Sequence, residues 1–248
     1  MTWPCRALAF ALTLVCVGSC GGEDPLRRVS FHVRFGGVAR DVSQPLVVTT
    51  PLGWTVTLTA ARVSLGPLYF RNGEPGVGTD EDDGRVVAEV LARFTVDALN
   101  PDLGSIEGAG RGVTESARAG EVRLTEADDG PIAAEAGAGV AVARIEGVAE
   151  RGGVVIRFAG NVALTQSAAV SAYAVALQHR VAHIATNFLP ADGGTLTLRV
   201  DPSHWLDALA FDTGGVAPDF SSRSTITQVL SGLGSARGVY MFEWSGAR

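Results

Sequence analysis

Apolar and polar residues alternate along much of this chain, a pattern typical of β-strands with one buried face. The segment 29–35 (VSFHVRF) places its Val and Phe residues on one face and His32 on the opposite, solvent-facing side. The segment 54–65 alternates in the same way, but its apolar phase slips by one residue at Ala60-Ala61, which predicts a β-bulge. Gly66-Pro67 is expected to turn the chain before the apolar residues resume.

Further short segments of this kind predict strands at 46–50, 68–70, 86–98, 121–125, 139–145, 154–166, 195–200 and 239–244. Gly152-Gly153 lies between two of these segments and predicts a hairpin loop. The stretch 104–120 is rich in glycine and polar residues, so we interpret it as a long loop or a loose connection.

The stretch 171–189 fits both a strand and a helix. Tyr173, Leu177 and Val181 share one face at strand spacing, and they also fall on one stripe at helical spacing. Periodicity does not separate the two, so both remain open. We favour the strand, because the neighbouring segments are predicted strands.

Two segments near the C-terminus have the signals of short helices. The segment 203–209 predicts one helical turn capped by Asp201 or Ser203. The segment 224–233 predicts an amphipathic helix with Ser224 as its cap.

Together these elements predict a mainly β fold. We expect an antiparallel β sandwich or open barrel with one or two short helices near the C-terminus. Residues 20–248 are long for one domain but within the range of single β sandwiches and barrels. The chain shows neither an internal repeat nor the alternation of strands and helices that a doubly wound fold requires.

The N-terminus has the layout of a secretory signal peptide. Arg6 precedes an apolar run, residues 7–17, which small residues follow. The run closes on Val17-Gly18-Ser19-Cys20, which resembles the lipobox of bacterial lipoproteins. The resemblance implies that residues 1–19 are removed and that Cys20 carries lipid at the new N-terminus. Residues 20–28 would then be the lipidated Cys and a short tether before a single domain, 29–248.

The apolar run is shorter than the ~20 residues that span a bilayer, so we expect lipid to hold the protein at the membrane. Two or more acyl chains give stable anchoring, since each buried methylene contributes about 0.8 kcal/mol. Gly21 rather than Asp follows Cys20, which resembles an outer-membrane address. The expected location is the cell envelope, with a periplasmic or surface-exposed domain.

Composition narrows the classes of partner. The formal net charge is −6, and all 20 Lys and Arg residues are Arg. A nucleic-acid partner is not expected, because it requires a basic footprint. Cys5 and Cys16 would leave with the signal peptide and Cys20 would carry lipid. The mature chain therefore offers no disulfide and no cysteine metal site.

Two groups of residues are candidate metal sites. His179 and His183 are four apart; a helix would let them share a transition metal, whereas a strand would separate them by about 13 Å. Asp80, Asp82 and Asp83 form an acidic loop that could attract calcium, although Gly84 and Arg85 break the EF-hand pattern. The more ordinary interpretation is a solvated loop, one half-buried histidine and one surface histidine, with no cofactor.

A secreted β domain with histidines is loosely similar to MbnP-like periplasmic copper-associated proteins. That resemblance implies a role in copper traffic. The mature chain departs from the family by lacking its cysteine pairs.

Trp54 and Trp205 are candidates for a sugar-binding platform, if exposed, in a carbohydrate-binding domain or an envelope hydrolase. For Trp54 the more ordinary interpretation is packing in the core. Asp201, His204 and Asp207 cluster around Trp205, although Asp201 also fits a helix cap. A GxSxG nucleophile motif is absent from the sequence.

The leading functional hypothesis is a membrane-anchored envelope lipoprotein with a non-enzymatic β domain that binds an unknown envelope protein or glycan. The first alternative is a periplasmic lipoprotein that handles copper or zinc. The second is a carbohydrate-binding or hydrolase domain.

Overall fold

The computed structural model describes residues 26–76, 84–125, 141–163, 180–235 and 238–246. In these ranges twelve strands form one mixed sheet that is not closed into a barrel. The strands are β1 Arg28–Gly37, β2 Leu46–Thr49, β3 Thr55–Arg71, β4 Val86–Val90, β5 Phe94–Asp97, β6 Gly104–Val113, β7 Ala117–Leu124, β8 Ala141–Arg151, β9 Val154–Ala163, β10 Arg180–Phe188, β11 Thr195–Val200 and β12 Tyr240–Ser245. Within the same ranges there is one α-helix, α1, which spans Arg223–Leu233 near the C-terminus. The predicted mainly β fold is confirmed.

The sheet is built around β3, which has 17 residues and pairs with β2, β4, β5, β7 and β8. The predicted bulge is confirmed, because the register of β3 against β8 shifts between Leu58 and Ala60. The turn predicted at Gly66-Pro67 is wrong: β3 continues through it. The register of β3 against β7 shifts between Leu65 and Leu68. This irregularity fits a proline at position 67, because proline has no N–H to donate to the sheet.

The main path of the sheet runs β10-β7-β3-β4-β6-β1-β11-β12. The pair β1–β11 is parallel, and the other strand pairs are antiparallel. The two ends of the path meet through aromatic packing: Phe188 on β10 stacks on Trp244 of β12 with ring centroids 5.1 Å apart. Side chains rather than backbone hydrogen bonds therefore join these ends.

The loop expected at 104–120 is instead β6 and the first half of β7. Three of its glycines, Gly104, Gly110 and Gly120, lie in strands beneath aromatic rings that occupy the space a side chain would need. A Cβ on Gly110 would lie 2.0 Å from the ring of Phe31, its partner on β1. The single strand expected at 86–98 is divided into β4 and β5.

The other predicted elements agree with the structure where it describes them. The stretch 171–189 is strand from Arg180 to Phe188, and its first nine residues lie outside the described ranges. Gly152 and Gly153 form the two-residue turn of the β8–β9 hairpin with φ values of 57° and 84°. The described parts of 139–145 and 154–166 belong to these two strands.

The two short helical elements differ in detail from expectation. Asp201 caps a 3-10 turn, Pro202–His204, by accepting from the backbone N–H of Ser203 at 2.9 Å. The cap of α1 is Ser222 rather than Ser224, because the helix begins at Arg223; the Ser222 Oγ accepts from the Thr225 N–H at 3.2 Å. Among the described residues no helix is both long and apolar enough to cross a bilayer.

Candidate functional site

The histidines predicted as metal ligands are only partly described. His183 lies half-buried in β10, where the register against β7 shifts between Val181 and Ile184. Its φ is 61°, the one positive value outside glycine in the described part of the chain. His179 lies outside the described residues. No three His, Cys, Asp or Glu side chains within the described ranges come together as a metal site, so metal binding stays a prediction.

Other predicted site residues lie outside the described ranges as well. These are the lipidation residue Cys20 and the acidic-loop residues Asp80, Asp82 and Asp83. Lipidation and calcium binding stay predictions.

Trp54 and Trp205 are core residues rather than a surface platform. Their exposed fractions are 1% and 0%, because Trp54 packs on Phe211 and Trp205 lies beneath α1. A sugar-binding ring needs an accessible face. Neither indole offers one, so the sugar platform proposed from the sequence is corrected.

Four charged side chains meet on one face of β3, β7 and β10: Arg71, Glu121, Arg123 and Arg180, called here the arginine cluster. The Glu121 side chain is only 2% exposed. Its Oε1 lies 2.9 Å from Arg123 Nε, and its Oε2 lies 2.8 Å from Arg180 Nη2 and 3.8 Å from Arg71 Nη2. One buried carboxylate thus faces three guanidinium groups.

Strand register brings these residues together. Tyr69 on β3 lies opposite Glu121 on β7, and Arg180 on β10 lies opposite Arg123. Side chains two residues apart share a face of a strand, so Arg71 joins Tyr69 and Arg123 joins Glu121. Three separate strands therefore supply one charged surface.

The arginines are held by contacts besides the carboxylate. Arg71 Nη1 donates to the Gly84 carbonyl at 3.0 Å, while its buried Nε has no hydrogen-bond partner in the described residues. The Arg123 guanidinium carbon lies 5.4 Å from the centre of the Tyr69 ring, and the Arg123 side chain is 47% exposed. Arg180 is 11% exposed and makes a further interaction of its own.

The charges of the cluster are unequal. Even without Arg180, two arginines, Arg71 and Arg123, share the single carboxylate of Glu121. Elsewhere among the described residues, some arginines each pair with one carboxylate, as Arg111 does with Glu89 and Arg118 with Glu74. Guanidinium groups match carboxylate and phosphate oxygens in geometry. The cluster is therefore suited to an acidic ligand.

The sequence contained only a weak signal for this cluster. Glu121 and Arg123 are two apart in an alternating strand, which places them on one face. Their approach to Arg71 and Arg180 depends on the pairing of three strands that are distant in sequence. The residues were therefore not identified from the sequence.

A second polar site lies at the C-terminal end of α1. Of the predicted cluster around Trp205, Asp201 is a cap, whereas His204 Nδ1 and Asp207 Oδ2 are 2.8 Å apart. Ser231 and Ser235 line the same cavity, whose volume is about 320 Å³.

The comparisons with known proteins found no relative. No family model, curated protein or solved structure matches the chain. The class that the fold and site define is thus a mainly β domain with a mixed, unclosed sheet and an arginine cluster on one face.

Proposed function

We propose that this protein is a lipid-anchored lipoprotein of the cell envelope whose β domain binds an acidic partner through the arginine cluster. The lipobox resemblance at Cys20 motivates the anchor. The observation that carries the binding role is the set of three arginines around the buried Glu121.

The cluster favours binding because its arginines are already ordered. Glu121 and the Gly84 carbonyl restrict Arg71, and Tyr69 supports Arg123. Restricting these long side chains before binding lowers the entropy that a ligand must overcome. The chain as a whole carries a charge of −6, so attraction of an anion has to arise locally, at this surface.

The partner class follows from the location and the chemistry. An envelope-anchored domain meets acidic glycans and the acidic segments of other envelope proteins. Both present carboxylates that an exposed guanidinium binds through two parallel hydrogen bonds. We therefore assign the cluster to such a polymer. A copper- or zinc-handling role remains the alternative, dependent on His179 and His183.

Titration calorimetry on the full-length protein in detergent tests the binding role. The probes are polygalacturonate and poly-L-glutamate, with neutral dextran for comparison. Arg123→Gln should weaken binding at least about tenfold, because a hydrogen bond to a charged group contributes about 1.5–3 kcal/mol. Binding should also weaken with added salt.

Arg157→Gln is the matched control, since it removes the same charge from an exposed position on β9. It should leave the affinity unchanged. Equal losses in the two variants, or no binding of either acidic polymer by the unaltered protein, would exclude the proposed site.

A further inference from the structure

A groove of about 450 Å³ lies where β1, β4 and β6 meet. Four valines, Val29, Val86, Val87 and Val113, line it together with three charged side chains, those of Arg28, Glu89 and Arg111. We propose that this groove binds a medium-chain fatty acid, with the acyl chain along the valines and the carboxylate on Arg28. The groove shares no residue with the arginine cluster, so this inference goes beyond the proposed function and does not rest on it.

Gly112 on β6 joins the three strands at the floor of the groove. It lies opposite Val29 of β1 on one side and Ala88 of β4 on the other. A Cβ on Gly112 would lie 2.7 Å from the Val87 carbonyl oxygen and 3.0 Å from the Ala88 Cβ. Only glycine lets β4 pack this closely, so the floor of the groove is the joined backbone of three strands.

The backbone of this floor is used within the sheet. β4 pairs with β3 on one side and with β6 on the other, and the end of β6 pairs with β1. A peptide ligand would need free backbone N–H and C=O groups to pair with its own. A hydrocarbon chain needs only apolar surface, which Val86 offers because its side chain is 42% exposed. The floor therefore suits an acyl chain rather than a peptide.

The charged side chains of the groove leave one positive charge unpaired. Arg111 Nε lies 2.7 Å from Glu89 Oε1, whereas the exposed Arg28 has no ion pair or side-chain hydrogen bond within the described part of the chain. Arg111 lies opposite Ser30, and Arg28 is two residues from Ser30 on the same exposed face of β1. Such diagonal neighbours are roughly 7–8 Å apart. Arg28 therefore offers a guanidinium for one carboxylate, with Arg111 beside it.

The volume of the groove limits the length of the ligand. About 450 Å³ is in the lower part of the range of small-molecule sites. A fatty acid of about ten carbons is a ligand of this size class. Each buried methylene strengthens binding about fourfold, so decanoate should bind at least about tenfold more tightly than acetate, which carries the same carboxylate without the chain.

Photoaffinity labelling of the full-length protein in lipid nanodiscs tests the proposal. The probe is decanoate with a diazirine near the end of its chain, and mass spectrometry locates the adducts. We expect adducts on β1, β4 and β6 around the groove, and free decanoate should compete for them. Decan-1-ol has the same chain without the carboxylate, so it should compete at least about tenfold less well.

Two variants separate the charge from the apolar wall. Arg28→Gln should lower labelling of the groove at least about tenfold, because it removes the unpaired guanidinium. Val86→Ser should lower it about fourfold, because it removes apolar surface equivalent to about one methylene. Both side chains are exposed, and a circular dichroism melting curve checks that each variant is folded.

Arg34→Gln is the matched control. Arg34 is also exposed, on the same face of β1 as Arg28, but it does not line the groove. Its loss should leave labelling unchanged. Adducts confined to other parts of the chain, equal competition by decan-1-ol and decanoate, or equal losses in Arg28→Gln and Arg34→Gln would each overturn the proposal.

Discussion

At the residue scale, Tyr240 on β12 combines burial with an unmet hydrogen bond. The residue is 2% exposed, and its hydroxyl has no partner in the described part of the chain. Burial raises the pKa of the phenol above its usual value of 10.0, because the phenolate is poorly solvated there. The hydroxyl therefore costs stability in the folded state.

Tyr240→Phe should stabilise the protein by about 1 kcal/mol at neutral pH, since an unsatisfied buried hydroxyl costs about 1–3 kcal/mol. Above a pH of about 10 the gap should widen. Because the folded pKa of Tyr240 is raised, the unfolded phenol ionises at a lower pH than the folded one. Ionisation therefore favours unfolding of the tyrosine protein as the pH rises above the unfolded pKa, and it has no effect at this position in Tyr240→Phe. Urea unfolding at pH 7, 9 and 11 measures this; parallel pH curves for the two proteins would contradict it.

The unusual feature of His183 is its backbone conformation rather than its imidazole ring. Its φ of 61° lies in the left-handed region, which Asn tolerates and β-branched residues do not. His183→Val should therefore be less stable than His183→Asn by about 1–2 kcal/mol. Chemical denaturation of both variants gives the difference, and the comparison between them removes the effect of losing the imidazole. Equal stability would show that this conformation is not strained for valine.

At the element scale, glycines facing aromatic rings determine how the strands pack. Gly110 on β6 receives Phe31 of β1, and Gly194 before β11 receives Trp244 of β12. In each case the missing side chain leaves room for a ring. Gly104 and Gly120 likewise face rings, those of Phe35 and Phe242, so the glycine-rich segment 104–120 packs against aromatic residues in its strands.

Gly110→Ala should lower the free energy of unfolding by about 1–3 kcal/mol, because its Cβ would lie 2.0 Å from the Phe31 ring. Phe31→Leu in the same chain should recover part of that loss by removing the ring. A double-mutant cycle in urea measures the coupling between the two positions. Strict additivity of the two losses would mean that the ring and the glycine do not interact.

At the scale of the whole molecule, attachment and recognition would belong to different parts of the chain. The lipidated Cys20 would precede the domain, while the arginine cluster lies on β3, β7 and β10. Loss of the anchor should therefore change location without changing ligand affinity.

Cys20→Ala should release the protein from the membrane pellet into the soluble fraction, because the acyl chains are the expected attachment. Incorporation of an alkyne-labelled fatty acid should disappear in the same variant. Cys16→Ala, within the signal peptide, serves as the control and should remain in the pellet. Unchanged pelleting of Cys20→Ala would refute lipid anchoring at this residue.

Local patterns predicted much of the secondary structure. Alternation identified β1, β3 and β11, and paired glycines identified the β8–β9 turn, because strand faces and tight turns depend on neighbouring residues. Prediction was wrong where contacts between distant residues determine the structure. Gly66-Pro67 lies inside β3, and most of 104–120 is strand, in β6 and β7. Local sequence does not report what packs against a glycine.

The candidate site depends even more than the strands on contacts between residues that are distant in sequence. The sequence by itself determined the mainly β class and motivated the lipid anchor, since periodicity and a short N-terminal motif are local properties. Only the tertiary structure decided that β1 pairs in parallel with β11, that Trp54 and Trp205 are buried, and that Glu121 meets three arginines. These facts depend on the register of strands far apart in sequence, which the energy of packing the whole sheet selects.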